Sequence, residues 1–314
     1  MHILISSAYA LHTQKGNSIT AKRVAALLQS AGHQATAICT KTLPSCDIVI
    51  ALHATKTLAN SRQFKKANPS GQLIIYLTGT DLYKDQQQNS DDFYEALELA
   101  DHLVVSQPAS LDSIPNQFLE KSSVVPASVL LPALEDIDPP QQPSVSLVGH
   151  LRAVKNPFLL NKALQALPEL ALHAYALGGA LDPEMGEVAK DFEREDTRYQ
   201  WLEDVPYQKA LSWIQQSTLM LNTSHSEGGS NAIAESVALG TPVLASKIEG
   251  NIGILGTDYS GYFEPDNAAS LAQLIQRSLT DSDFLAQLQQ QIDERQELFS
   301  PERELRAWLQ LIQG

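Results

Sequence analysis

The sequence predicts an α/β protein made of two parallel-sheet domains, and three observations carry that expectation. The chain has 314 residues, enough for about two domains with cores of their own. Apolar runs of strand length alternate with amphipathic stretches from the first residue onward, the βαβα pattern of parallel sheets covered by helices on both faces. One acidic, proline-rich segment without periodicity, Leu134 to Pro143 (LEDIDPPQQP), reads as a linker between two such series.

In the first series, His2 to Ser7 is expected as a strand, Ser18 to Ala31 as a helix closed by Gly32, and Gln34 to Cys39 as the next strand. Asp47 to Leu52 and Gln72 to Leu77 follow as strands around a basic helix from Thr55 to Ala67. The polar stretch Asp81 to Ser90 is expected as a loop whose Gln-rich tip, without apolar periodicity, is mobile. His102 to Val105 and Ser123 to Ala127 close this series, with a short helix near Pro108 to Ile114 between them.

The second series begins with a strand at Val145 to Gly149 and a helix from Asn156 and Pro157, read as N-cap and first helical residue. Strands at Leu172 to Leu177, Leu219 to Asn222 and Val243 to Ala245 continue it, and Ser270 to Leu311 is mainly helical. The expected domains are therefore 1–140 and 141–299. The final helix, 300–314, set off by the break at Ser300 and Pro301, returns to complete the first. No internal repeat or low-complexity segment is present.

Formal charge is −14, which excludes the diffuse basic surface that nucleic acid or an anionic membrane requires. Residues 1–80 run against the total: eight Lys and Arg against Asp47 alone give +7, leaving −21 on the rest, so this end is expected to attract a small anion. Two cysteines, Cys39 and Cys46, form no CxxC pattern or zinc-ligand cluster and suit a reducing compartment, where they read as core filler near strand ends. The opening MHILISSAYA lacks a basic n-region, and nowhere do ~18 apolar residues run together, so the expectation is a cytoplasmic protein.

The most informative segment is Ser224 to Gly240, SHSEGGSNAIAESVALG, followed by TPVLAS. It reads as strand, glycine loop, helix with Gly240 as C-cap, then a strand entered through Pro242. Gly228 and Gly229 let a ligand approach backbone N–H groups, and Ser230 or Asn231 caps a helix whose positive end faces that ligand, a site for an anion or for sugar hydroxyls. Glu227 before the helix and Glu235 within it can meet different parts of one molecule. In GHLRAVKNP, Arg152 and Lys155 lie three apart at a strand-to-helix junction, where both can converge on a diphosphate.

Glu227 and Glu235, spaced by seven residues and followed by Gly240, Pro242 and Val243, resemble the signature of GT-B glycosyltransferases of the family 4 type. That resemblance implies two Rossmann-like domains facing a central cleft. It also implies roles: Glu227 and the loop amides of Gly228, Gly229, Ser230 and Asn231 on the donor hexose, Glu235 on the ribose, and Arg152 and Lys155 on the charge of the departing nucleoside diphosphate. Gly229 departs from the bulky residue common there, which implies a wider sugar pocket. LGGA (Leu177 to Ala180) and WLED, with Leu202, occupy the places where the family shapes its nucleobase pocket; Trp201 reads equally as core.

The amino-terminal half sharpens the resemblance. Gly16 and Asn17 introduce the first helix, Thr20 and Arg23 lie one turn apart on it, His53 ends a strand in ALHATK, and Thr78 to Tyr83 reads TGTDLY. With GHLRAVKNP, SEGGSN and GNIGILGTDYSGYF, these segments resemble the selenosugar synthase family of selenoneine biosynthesis, from Met1 to about Phe299. The resemblance implies a selenium–carbon bond formed between selenophosphate and a UDP-sugar such as UDP-N-acetylglucosamine, without metal or other cofactor. It also implies neighbours in metabolism: an enzyme that makes selenophosphate and a downstream selenoneine synthase. Gly16, Asn17, Thr20, Arg23 and Thr80 are then acceptor-binding candidates and His53 a catalytic one. Structural readings stand beside these: a satisfied histidine at a strand end, cations coating an exposed helix face, and a capping or loop-bracing role for Thr80 and Asp81. Two other functions compete, an oxygen-glycosyltransferase of the same fold and a nucleotide-sugar sensor without turnover.

Overall fold

A computed structural model describes residues 1–13, 16–86, 91–227 and 229–313, apart from the side chains of Tyr83 and Lys84. The chain divides into two units, Met1–Leu130 with Leu298–Gly314, and Leu131–Glu297.

The first unit contains β1 (His2–Ser7), α1 (Gly16–Ser30), β2 (Gln34–Ile38), β3 (Ile48–Leu52), α2 (Leu58–Ala67), β4 (Gln72–Tyr76), α3 (Asp91–Leu99), β5 (His102–Val105) and β6 (Ser122–Val124). All its strands are parallel, in the order β2-β1-β3-β4-β5-β6. Alternation along β3 sends Ile48, Ile50 and Leu52 to the face covered by Val24 and Leu28 of α1, while Val49 and Ala51 meet Leu58 and Phe64 of α2 and Phe93 and Leu97 of α3.

The second unit contains β7 (Ser144–Val148), α4 (Leu159–Gln165), β8 (His173–Leu177), α5 (Pro183–Glu195), β9 (Tyr199–Trp201), α6 (Tyr207–Gln216), β10 (Leu219–Asn222), α7 (Asn231–Leu239), β11 (Val243–Ser246), α8 (Glu249–Leu255), β12 (Tyr262–Phe263), α9 (Ala268–Thr280) and α10 (Ser282–Asp293). Its sheet is also parallel, ordered β12-β11-β10-β7-β8-β9. The last helix, α11 (Pro301–Gln313), belongs to the first unit, where fully buried Trp308 stacks on Tyr76 at 6.2 Å between ring centroids.

Several expectations change. The stretch Asp81 to Ser90 is not all loop: its first part is a π-helical turn, Asp81–Asp85, closed by Gln86 N–H on the Asp81 carbonyl, and Asp81 is fully buried. Residues 87–90 lie outside the described residues. Asn156 caps no helix: it has left-handed backbone, φ 46°, and ends the single turn Ala153–Lys155, so α4 begins three residues later. The basic helix starts at Leu58 rather than Thr55, because Thr57 donates from Oγ1 and N–H to the His53 carbonyl and closes a turn there. Cys39 is exposed and only Cys46 is core.

Three of the eight cations of residues 1–80 are paired with acids inside the first unit. Arg23 pairs with Glu304, Arg62 with Glu95 and Asp92, and Lys65 with Asp101, all acids from beyond residue 80.

Candidate functional site

In a parallel sheet, ligands bind beyond the carboxyl ends of the strands where the strand order reverses. In the second unit that point lies between β7 and β10. The segments following these strands hold Arg152 with Lys155 and Glu227 with Gly229.

Two backbone acceptors tie the segments together: His225 N–H donates to the Val154 carbonyl at 2.9 Å, and Thr223 Oγ1 to the Lys155 carbonyl at 2.9 Å. Lys155 is thereby brought against Glu227, Nζ to Oε1 at 2.5 Å, with the two side chains 29% and 10% exposed. The same Oε1 accepts from Ser224 Oγ at 2.6 Å. Arg152, three residues past the Gly149 bend, is exposed, and its side chain has no ion pair or hydrogen bond among the described residues.

Ser230, rather than Asn231, is the N-cap of α7, its Oγ accepting from Ile233 N–H. The helix ends at Gly240, φ 74°, the left-handed C-cap position where glycine carries no Cβ penalty. Gly229 is exposed, and Gly228 lies outside the described residues. Glu235, in the second turn of α7, is 7% exposed and accepts from Tyr207 Oη at 3.1 Å.

Under this loop lies a polar network that sequence reasoning missed. Fully buried Asn251 donates to Asn222 Oδ1 and to Ser246; Asn222 in turn donates to Ser230 Oγ at 3.0 Å; Ser246 Oγ donates to the Ser224 carbonyl at 2.6 Å. Gly250 completes the support: a Cβ there would stand 1.9 Å from the Glu227 carbonyl oxygen, so α8 approaches the loop only as glycine. The legible signals were Asn222 at the end of an apolar strand and the paired GN of the GNIG segment.

The ends of β7, β8 and β9 also converge. Gly149 N–H donates to the Leu177 carbonyl, Gly178 N–H to Glu203, and Leu202 N–H to Ala176. Gly178 is obligatory, since its Cβ would meet the Gly149 carbonyl oxygen at 2.3 Å. Trp201 is half-buried and donates from Nε1 to the Gly178 carbonyl at 2.9 Å, so it braces this turn. Leu202 borders an open groove of about 470 Å³ that Val205, Lys209 and Trp213 also line.

In the first unit the order reverses between β1 and β3. Gly16, exposed, and Asn17 form the first turn of α1, which has 15 residues and no acid in that turn; Thr20 is half-buried one turn on. Arg23 coats no exposed face. It is 7% exposed, and its Nε donates to Glu304 Oε2 of α11 at 2.9 Å, so its charge serves the core. Thr80 is exposed, whereas Asp81 braces the loop, taking the Ala54 and Thr78 N–H groups.

His53 follows β3 directly, with φ 90°. Its Nδ1 meets Asp81 Oδ1 at 2.7 Å. Among the described residues, His53, Asp81 and Asp85 are the one trio with metal-ligand spacing, atoms within 4.8 Å of one another. Within the trio His53 Nδ1 pairs with Asp81 Oδ1, and Asp85 Oδ2 accepts from Thr55 Oγ1 at 2.7 Å.

Two parallel six-stranded sheets with these sites at their reversal points define the GT-B glycosyltransferase fold. The chain is similar over 99% of its length, and 98% of the other, to the sucrose-phosphate synthase of Thermosynechococcus elongatus, with TM-score 0.81 and 16% identity. It is similar at TM-score 0.80 and 16% identity to Anabaena Alr3699/HepE in complex with UDP and glucose, covering 100% and 99% of the two chains. The family described as "Glycosyl transferases group 1" matches residues 137–296, half of the chain, and the chain belongs to that family. It is also 30% identical over 141 residues to "Glycosyltransferase 1 domain-containing protein 1" of Xenopus tropicalis, a match spanning 44% of this chain and 40% of that relative. No helix among the described residues is long and apolar enough to cross a membrane.

Proposed function

We propose that this chain is a selenosugar synthase, transferring a hexose from a UDP-sugar such as UDP-N-acetylglucosamine to selenophosphate. The observation that carries the donor half is the Lys155–Glu227 pair beside the capped start of α7, at the strand-order reversal of the second sheet. Family membership and the UDP complexes of similar folds support the same donor class. The acceptor rests on the motifs of the first unit and on an acid-free helix start at Gly16 and Asn17, suited to a small anion.

Glu227, already an acceptor for Lys155 and Ser224, takes the hexose hydroxyls, and the backbone amides from Gly228 through Asn231 border the same sugar. Glu235 takes the ribose, and Leu202 borders the base. Arg152, exposed and unengaged, and Lys155 stabilise the negative charge that grows on the β-phosphate as the anomeric bond breaks. Binding the diphosphate draws Lys155 from Glu227, which frees that carboxylate for the sugar. Acceptor contacts fall to Gly16, Asn17, Thr20, Thr80 and His53. Arg23, buried against Glu304, orders α1 instead.

The ionised selenium attacks the anomeric carbon, the C–O bond to UDP breaks, and UDP leaves with that electron pair. The product is a glycosyl selenophosphate. Water then cleaves its Se–P bond, giving phosphate and the 1-selenosugar, and selenium needs no general base to become nucleophilic. The substrate would come from an enzyme that makes selenophosphate and the product would pass to a selenoneine synthase. Incubation with UDP-N-acetylglucosamine and selenophosphate should release UDP only when both are present; equal release with a saccharide acceptor alone would defeat this reading.

A further inference from the structure

We propose that Asp81 is the positioning residue of His53: it holds the imidazole as the Nδ1–H tautomer, so that a bare, buried Nε2 meets a proton-bearing oxygen of the bound ligand. This rests on the reading of His53 as part of the reaction site.

Asp81 is fully buried, and its two oxygens take three hydrogen-bond donors and pair with the His53 ring. Oδ1 accepts from Ala54 N–H at 2.9 Å and lies 2.7 Å from His53 Nδ1; Oδ2 accepts from Thr78 N–H at 2.7 Å and Thr78 Oγ1 at 2.8 Å. A carboxylate surrounded by donors only accepts, so Nδ1 carries a proton; a bare nitrogen would set lone pair against lone pair at that distance. Thr55 agrees. Its proton goes to Asp85 Oδ2 at 2.7 Å, so the oxygen it turns to Nδ1 at 3.3 Å is also an acceptor.

The other nitrogen is the unexplained atom. His53 is 1% exposed, and Nε2 has no hydrogen-bond partner among the described residues. A buried acceptor left unpaired is costly and calls for an occupant. The backbone is also held in an uncommon conformation for a non-glycine residue, φ 90°, by His53 N–H on the Tyr76 carbonyl and by Thr57 on the His53 carbonyl. Strain, a fixed tautomer and an unfilled acceptor coincide at the residue after β3, where the first sheet's strand order reverses. The occupant's chemistry is a protonated oxygen of the tetrahedral anionic acceptor, whose other candidate contacts lie in the same unit.

The test is the ¹⁵N spectrum of the full chain labelled at histidine, with the His53 signals assigned by their loss in His53→Gln. The expected spectrum shows a protonated Nδ1 and an unprotonated Nε2. The Nε2 signal should then move by several ppm on adding thiophosphate. Asp81→Asn should lower kcat at least tenfold in the wild-type background and less than twofold in His53→Ala, since a group acting through His53 has nothing to position there. A protonated Nε2 in the wild type, an Nε2 signal that thiophosphate does not move, or an equal cost of Asp81→Asn in both backgrounds would overturn the proposal. A wild-type chain that releases no UDP overturns the acceptor reading instead, while the tautomer and the Nε2 shift still decide the role of Asp81.

Discussion

Replacing Glu304 with alanine removes one buried carboxylate on which four donors converge: Arg23 Nε at 2.9 Å, Ser128 N–H at 2.7 Å, Ser128 Oγ at 2.5 Å and Trp308 Nε1 at 3.2 Å. Glu304 is 0% exposed and Arg23 7%, so the variant takes a buried carboxylate away from a guanidinium in the core. Removing one partner of a buried pair costs about 3–5 kcal/mol, and the remaining donors keep the loss at the upper end. For a unit of roughly 150 residues this corresponds to a fall of about 10 °C or more in its unfolding temperature. Calorimetry of Glu304→Ala, Arg23→Met and the double variant Arg23→Met/Glu304→Met measures it. The double variant should recover most of the loss, because an apolar pair of similar volume replaces the ion pair without an orphaned charge. Glu304→Ala costing under about 1 kcal/mol would refute the reasoning. So would an Arg23→Ala chain of unchanged stability whose selenophosphate KM alone rises.

Other consequences are open to measurement. Lys155→Ala should lower kcat by roughly 10²–10³ while leaving unfolding unchanged, as expected for a half-exposed cation whose work is on the leaving group; steady-state UDP release and calorimetry read both. Gly250→Ala, whose Cβ would lie 1.9 Å from the Glu227 carbonyl, should weaken UDP-sugar binding at least tenfold by titration calorimetry. Burial, then Asp47, pushes the Cys46 thiol up to about 11, while Cys39 is exposed, so iodoacetamide at pH 8 should label Cys39 alone and Cys39→Ser should abolish labelling. Hydrogen bonding from Arg198 holds Asp196 below its ordinary 3.8; its stabilising contribution is complete above that pH and is lost as pH falls through the lower folded value. Asp196→Asn should therefore lose less stability than wild type between pH 6 and pH 3 in urea titrations.

Much of this molecule was legible because strands such as LMLN and HAYAL are short apolar runs whose period is unmistakable, and because Gly240 and Ser230 occupy cap positions with local rules. Asn156 misled because Asn before Pro reads as an N-cap, whereas the left-handed bend it makes is fixed by the turn Ala153–Lys155 and by His225 reaching the Val154 carbonyl. Asp81 was legible in part. A bracing role is one of the readings its motif offers, but the groups it braces, Ala54, Thr78 and His53, come partly from across a strand order that composition cannot reveal. Arg23 shows the same limit: its partner Glu304 lies 281 residues away. At the donor site, the glutamates and cations stood out by spacing, while Asn222, Ser246 and Asn251 did not, since their part is to hold the loop from beneath.

The central claim, selenium transfer from selenophosphate to the anomeric carbon of a UDP-sugar, is tested most directly by mass spectrometry of a reaction containing the chain, UDP-N-acetylglucosamine and selenophosphate. A 1-seleno-N-acetylglucosamine with the isotope pattern of one selenium atom is expected, formed in step with UDP and phosphate and slowed by roughly 10²–10³ in Lys155→Ala. UDP release without any selenium-bearing sugar, or a selenium-free glycoside formed equally well from a sugar acceptor, would contradict it.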